Sequence, residues 1–404
     1  MKSSIKVVAL IWFSCLLSGA AFAIASMPAT ITYVDASGLR EIYSFATADC
    51  KVPVFGGCNS PQHLVVNYFD GYAWHWADMG LPPGANAVYS PNAITYLDSS
   101  GHQEIYAFGQ ANNGHLVVLY WDGHSWHWAD RGVPPGKTGV ASPSAVTYVD
   151  AAGHRRIYTF GESYDGHMVV LYFDGFKWNW ADMGLPPGNS SISNSNAITY
   201  LDSSGRQEMY VFADGGSNGQ QNGHMVVLHW NGFNWNWADK GFPPGKTGVY
   251  ASPSAITYLD AGGNRRIYSF VMSNDQHLVV LWWDGSNWHW ADMGLPAGAS
   301  AVYWPSAITY RDASGNQRIY AFDSANNGHL VVLWWDGSNW HWADQGLPAG
   351  STGVWNPDAI TYVDAAGRQE IYAFAEGGTP QGGTDLVVNY WNGLRWNWAD
   401  QGTH

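Results

Sequence analysis

Five aromatic rings in this chain, Tyr89, Tyr250, Tyr303, Trp304 and Trp355, fall in Pro- and Gly-rich connections between repeated segments. A histidine recurs at one place in six segments, as His63, His115, His167, His224, His277 and His329, with Asp385 in the seventh. An aspartate recurs in all of them, as Asp78, Asp130, Asp182, Asp239, Asp292, Asp344 and Asp400. A flat ring beside hydrogen-bonding groups is the chemistry of sugar recognition. The ring packs on the C–H face of a pyranose while its polar neighbours bond the hydroxyls. The five rings are therefore the candidate platforms, with His115, His277 and His329 as polar partners. Trp304 and Trp355 lead, because they are expected in loops and do not recur in every copy. A second reading gives each His–Asp pair only the task of tying a loop to its scaffold.

What must position these residues is a repeat. Copies open with an Ala-x-Thr-Tyr-x-Asp block, at Ala93, Ala145, Ala197, Ala255, Ala307 and Ala359, with Ala29 marking the first. They close with Trp-x-Trp-Ala-Asp, at Trp74, Trp126, Trp178, Trp235, Trp288, Trp340 and Trp396. Four of the six spacings between openings are 52 residues. In the second copy, Ala93–Leu97 alternates like a half-buried strand, and Asp98-Ser-Ser-Gly101 reads as a tight turn. Strands are also expected at 104–108, 115–121 and 126–130, with a hairpin turn at Asp122-Gly123. Four antiparallel strands repeated seven times predict an all-β chain folded as a seven-bladed β-propeller. A sandwich or solenoid is the competing architecture. The unit is too long for a WD40 blade and lacks the paired glycines of kelch blades.

Strand direction sorts the loops onto two rims. The Asp-x-x-Gly and Asp-Gly turns share one rim. The variable loops and the Pro-Gly connections share the other, together with the recurring His and Asp. Function concentrates on variable loops of a rigid scaffold, which favours the second rim. The Trp-x-Trp pairs alternate onto a single strand face and are expected in the packing between blades.

Residues 1–23 read as a secretory signal peptide: Lys2 and Lys6, an apolar run from Val7 to Leu17, and a small-x-small site at Ala21-Phe22-Ala23. Residues 24–404 are then the propeller, and the mature protein is expected to be secreted or periplasmic. Cys50 and Cys58 are expected to form a disulfide closing a surface loop. No metal-ligand spacing accompanies them, and no cofactor is expected. The net charge of −14 argues against nucleic acid and anionic membrane surfaces. No stretch beyond the leader is long and apolar enough to insert in a bilayer.

The segments Asn287-Trp-His-Trp-Ala-Asp, 328–339 and 349–357 resemble repeat motifs of the seven-bladed propeller lectins of the Photorhabdus type, and the resemblance covers all seven copies. It implies multivalent binding of glycans, L-fucose foremost, in pockets between adjacent blades, with neither metal nor catalysis. The departures are the leader, the cysteine loop, the longer loop from Ala213 to Gly223, and Asp385 in place of His. Two other functions compete. A glycosidase or sialidase would need one asymmetric acidic site, and no unique acidic motif stands out. A protein-interaction scaffold would bind no sugar.

Overall fold

The computed structural model describes residues 22–24, 28–50, 62–216 and 223–403. Strands in chain order pair antiparallel in fours, building seven sheets around a ring, with no helix among the described residues. Blade 2 comprises Val88–Leu97, Gln103–Ala111, Leu116–Trp121 and Trp126–Gly132. Blade 1 adds a short strand, Phe22–Ile24, on the same edge of Arg40–Cys50 that pairs with Ala29–Val34. The first strand of each blade lies innermost, beside the first strands of its neighbours, and that of blade 7 lies beside that of blade 1.

The Leu-Val-Val-Leu runs show why these residues make a propeller. Alternate side chains of a strand point to opposite faces, and both faces of a blade meet another blade. Leu116 and Val118 pack with Ile157 and Leu171 of blade 3. Leu119 packs with Ile31, Phe45 and Val66 of blade 1. The core is thus a set of inter-blade cores rather than one central one.

The Trp-x-Trp pairs lie in these cores, as expected. The first tryptophan meets a fully buried phenylalanine of the preceding blade edge-on: Phe45–Trp126 at 6.0 Å, Phe108–Trp178 at 6.1 Å, and so on around to Phe374–Trp74 at 5.7 Å. The second donates its indole N–H to a carbonyl of the preceding blade, Trp128 to Met79 at 2.8 Å and Trp290 to Lys240 at 2.9 Å. The ring closes with the same bond, Trp76 to the Gln401 carbonyl at 2.9 Å. No strand crosses between the first and last blades among the described residues.

A second belt circles the inner strands. Asn92, Ser144, Asn196, Ser254 and Ser306 each accept the backbone N–H of the next blade's opening alanine, at 2.8–3.0 Å. Asp358 does the same for the backbone of Thr30, so six of the seven interfaces carry this bond; between blades 1 and 2 the position holds Ala29, which has no acceptor. Register accordingly aligns Thr30, rather than Ala29, with Ala93: Thr30 pairs with Ser44 as Ala93 pairs with Ala107.

One expectation changes. The inner strands start about five residues earlier than the alternation suggested, at Val88 rather than Ala93. Pro91 has no N–H for a ladder, and the chain passes it through a bulge between Tyr89 and Asn92. Tyr89, Tyr250, Tyr303, Trp304 and Trp355 therefore lie in strands, not loops. Cys58, most of the leader and residues 217–222 lie outside the described residues, so the expected disulfide and signal peptide do as well. Ile24 pairs with Ala48 as Val88 pairs with Ala111, and the short strand includes Phe22 and Ala23 of the expected leader.

Candidate functional site

The recurring histidines have one arrangement. Each lies at or just before the start of the third strand and places Nδ1 against the aspartate near the end of the fourth: His115–Asp130 at 2.8 Å, His277–Asp292 at 3.0 Å, His329–Asp344 at 2.8 Å. The same aspartate accepts the N–H of a following glycine, such as Gly132 at 2.7 Å. In blade 1 the hydrogen bond with Asp78 holds His63 above the usual imidazole range, against the opposing effect of burial. In blades 3 and 5 a lysine of the Pro-Gly connection joins the pair. Lys137 bridges Asp165 and Asp182, and Lys246 bridges Asp275 and Asp292, at 2.6–2.9 Å. These clusters bind the loop, the blade and the inter-blade connection into one unit. The Nε2 edges of His115, His277 and His329 have no hydrogen bond to another described residue.

The rings gather more closely. Tyr89, Tyr250, Tyr303 and Trp355 hold one register position on the inner strands, opposite Gln110, Met272, Ser324 and Glu376. Between blades 6 and 7 three of the candidates converge. Tyr303, Trp304 and Trp355 line a cavity of about 350 Å³ with Asn326, Gly328 and Thr352. The Tyr303 and Trp304 rings lie 5.5 Å apart, tilted by 41°. Trp304 is the bulge residue, at φ 55°, a left-handed conformation that a bulky side chain rarely adopts. The bulge recurs at Ser90, Ser142, Asn194 and Asn356, so it belongs to the repeat; in blade 6 the residue it re-aims is a tryptophan.

The indole of Trp355 rests on bare backbone. A Cβ on Gly353 would stand 2.6 Å from its Cζ2, and one on Gly378 2.7 Å from its Cζ3. The asparagines position the rest. Asn326 Oδ1 accepts the N–H groups of Ser300 and Ala301 at 2.8 and 3.2 Å, and Asn327 Oδ1 accepts that of His329 at 3.1 Å. The indole N–H groups of Trp304 and Trp355 and the Tyr303 hydroxyl have no hydrogen bond among the described residues. The cavity thus offers three rings and unengaged donors. It does not include His329 in its lining, and His115 and His277 belong to other blades.

Tyr89 and Tyr250 are 37% and 46% exposed, enough ring surface for a ligand to cover. The sequence reading missed Tyr164. Its ring lies over Gly139 between blades 2 and 3, as Trp355 lies over Gly353, and it is 56% exposed. Its hydroxyl accepts from Gln110 Nε2 at 2.9 Å. The signal was a lone tyrosine at the loop position that holds Asn326 in blade 6.

The rim of short turns also carries inter-blade hollows. One of about 470 Å³ lies between blades 3 and 4, lined by Asp150, Arg156, Tyr172 and Trp230 among others. Glutamates 41, 104, 208 and 370 begin the second strand of four blades and accept a tyrosine hydroxyl two residues on, at 2.8–3.1 Å. In the other three blades, arginines 156, 266 and 318 clasp the turn aspartate at 2.7–2.8 Å.

No protein-family model matches this chain, and no curated protein matches it by sequence. Solved structures of similar fold include lectins. The BP39L lectin from Burkholderia pseudomallei matches with a TM-score of 0.67 over 95% of this chain and 100% of its own, at 16% identity. The Aleuria aurantia lectin, as a point mutant in complex with alpha-methyl-L-fucoside, matches at 0.50 over 78% and 97%, with 17% identity. AofleA from Arthrobotrys oligospora matches at 0.50 over 78% and 87%, with 15% identity. At these identities the likeness is one of fold.

Proposed function

We propose that this protein is a multivalent lectin, exported by its leader, that binds glycans between blades on the rim of the Pro-Gly connections. The cavity between blades 6 and 7 carries the reading: three rings with unengaged polar edges, in a space suited to one sugar residue. L-Fucose is the first sugar to test. Its methyl-bearing face suits an aromatic platform, a lectin of similar fold is solved with a fucoside, and the repeat motifs resemble fucose-binding propellers. Tyr89, Tyr250 and Tyr164 are the platforms of further, weaker sites. Each site is weak alone, and several on one rigid ring gain avidity on a glycan-coated surface.

Titration calorimetry with alpha-methyl-L-fucoside, beside haemagglutination, tests this. Wild type is expected to bind more than one equivalent and to agglutinate. Trp355→Ala is expected to weaken one already weak site out of the measurable range, because losing a stacked ring costs about 0.5–1.5 kcal/mol, roughly two- to twelvefold in affinity. Unchanged stoichiometry and affinity in both Trp355→Ala and Trp304→Ala would discard this site. Turnover of fluorogenic glycosides would discard the lectin reading in favour of an enzyme.

A further inference from the structure

On the other rim an open hollow of about 950 Å³ lies between blades 4 and 5. Its walls include Trp283 and Trp288, three carboxylates, Asp202, Glu208 and Asp284, and three cations, Lys240, Arg265 and Arg266. The carboxylates are engaged. Asp202 holds Arg206 at 2.9 Å, Asp284 holds His289 at 2.7 Å, and Glu208 accepts from Tyr210 and His229 at 3.1 Å. Arg266 clasps Asp260 at 2.8 Å. Two cations remain. The Lys240 ammonium sits 5.2 Å from the centre of the Trp288 ring, and no carboxylate pairs with it among the described residues. Desolvation lowers its pKa, the mark of a cation poorly compensated by its surroundings. The Arg265 guanidinium is exposed and likewise unpaired.

The same set recurs once. Between blades 2 and 3, the Arg131 guanidinium lies 4.7 Å over Trp178, and its Nε is buried without a hydrogen-bond partner. Glu104 accepts from Tyr106 at 2.9 Å, as Glu208 does from Tyr210. The next blade again opens its second strand with two arginines, Arg155 and Arg156, matching Arg265 and Arg266. At the other five interfaces the position of Arg131 and Lys240 holds Met79, Met183, Met293, Gln345 or Gln401. A half-buried cation over a ring is incompletely solvated, and something anionic would complete its surroundings. Two of seven otherwise similar interfaces carry such a cation.

We infer that this hollow, and the matching set of residues between blades 2 and 3, bind an anionic saccharide, one bearing a carboxylate or a sulfate. The anion sits on Lys240 with Arg265, or on Arg131 with Arg155. The sugar ring lies toward the tryptophan, and Glu208 or Glu104 accepts a hydroxyl with its remaining lone pairs. That the ligand is a sugar rests on the lectin reading; that it is anionic rests on the unpaired cations alone.

The test uses the full mature chain in titration calorimetry with methyl glucuronide and sialyllactose as carboxylates and galactose 6-sulfate as the sulfate. At least one is expected to bind two equivalents, more weakly as salt rises. Lys240→Met places there the residue of blades 1, 3 and 5, so the fold is retained. It is expected to leave one equivalent, and the double variant with Arg131→Met none, each lost site weakened about tenfold or more. Lys240→Arg, the side chain of blade 2, is expected to keep both. Carboxylates binding without sulfates, or the reverse, identifies the source. Anionic sugars that bind the double variant as they bind wild type, or that fail to bind wild type, overturn the proposal. Alpha-methyl-L-fucoside titrated into the same variants reports on the opposite rim, so failure of the fucose reading shows separately.

Discussion

Asp323 is the residue least at ease in this protein. It is wholly buried, and neither carboxylate oxygen has a partner. The equivalent positions hold Ala46, Gly109, Gly161, Ala213, Val271 and Ala375. Burial pushes its pKa well above the usual carboxylate range, and it pushes Glu162 to about 8 and Asp214 to about 7. These groups hold a proton more firmly folded than unfolded, where carboxylates titrate near about 4. As pH rises from about 4 to about 8, the unfolded chain releases its protons first, so stability falls across that window. The turn aspartates act oppositely and lower down. Backbone N–H groups hold Asp122 at about 2, so its contribution is present at neutral pH and lost as pH falls through about 4 to 2. Asp323→Val, nearly isosteric and matching Val271, is expected to raise stability at pH 7 by about 1–3 kcal/mol and to flatten the decline above pH 4. Urea unfolding at pH 5 and 8 reads both effects. An unchanged slope with unchanged or lower stability would show that Asp323 is not the strained acid its burial implies.

At the scale of the element, two features of the repeat had different fates. The Trp-x-Trp strand was legible because alternation fixes which face a side chain takes, and a blade has no free face. Its consequence is uniform: each second indole should contribute alike through its bond to the preceding blade. Trp128→Phe and Trp290→Phe are each expected to cost about 1–3 kcal/mol, since the buried carbonyl loses its donor. Sugar stoichiometry should be unchanged by either. A variant that keeps its stability and loses sugar would give these tryptophans to the ligand instead. The inner strand was not legible past its proline. Pro91, Pro305 and Pro357 broke the alternation, and a bulge that tolerates proline leaves no periodic trace. The rings were therefore found by type and placed in loops, although they are fixed on strands. Which of them share a cavity depends on the neighbouring blade, and Tyr164 was missed because it reaches the shared position from a different segment.

The whole molecule is a ring of complete units, and how it closes was not readable in the chain. Whether a terminal strand crosses to close the ring is not legible in the repeat, and residues 22–24 form a short strand at the N-terminal end of the described chain. The structure pairs them within blade 1, so blades 1 and 7 meet as any two blades do. Trp76 bonds Gln401, Tyr362 bonds the Arg40 carbonyl at 3.2 Å, and Asp358 bonds Thr30. Only the covalent connection is missing at this junction. Elsewhere the fourth strand reaches the next blade through a short Pro-Gly segment, as residues 347–353 do between Gly346 and Val354. Gly402 and Ile24 hold the equivalent positions, by register, in blades 7 and 1. A copy of residues 347–353 joining Gly402 to Ile24 therefore supplies the missing connection. The chain can then be opened between Gly184 and Ser191, where the segment linking blades 3 and 4 carries no lysine cluster. This circular permutant is expected to fold to the same ring and melt within a few degrees of the mature protein, because every inter-blade core and both belts are kept. A permutant that is soluble but molten, or that assembles through exchanged blades, would mean that closure depends on chain order rather than on seven equivalent interfaces.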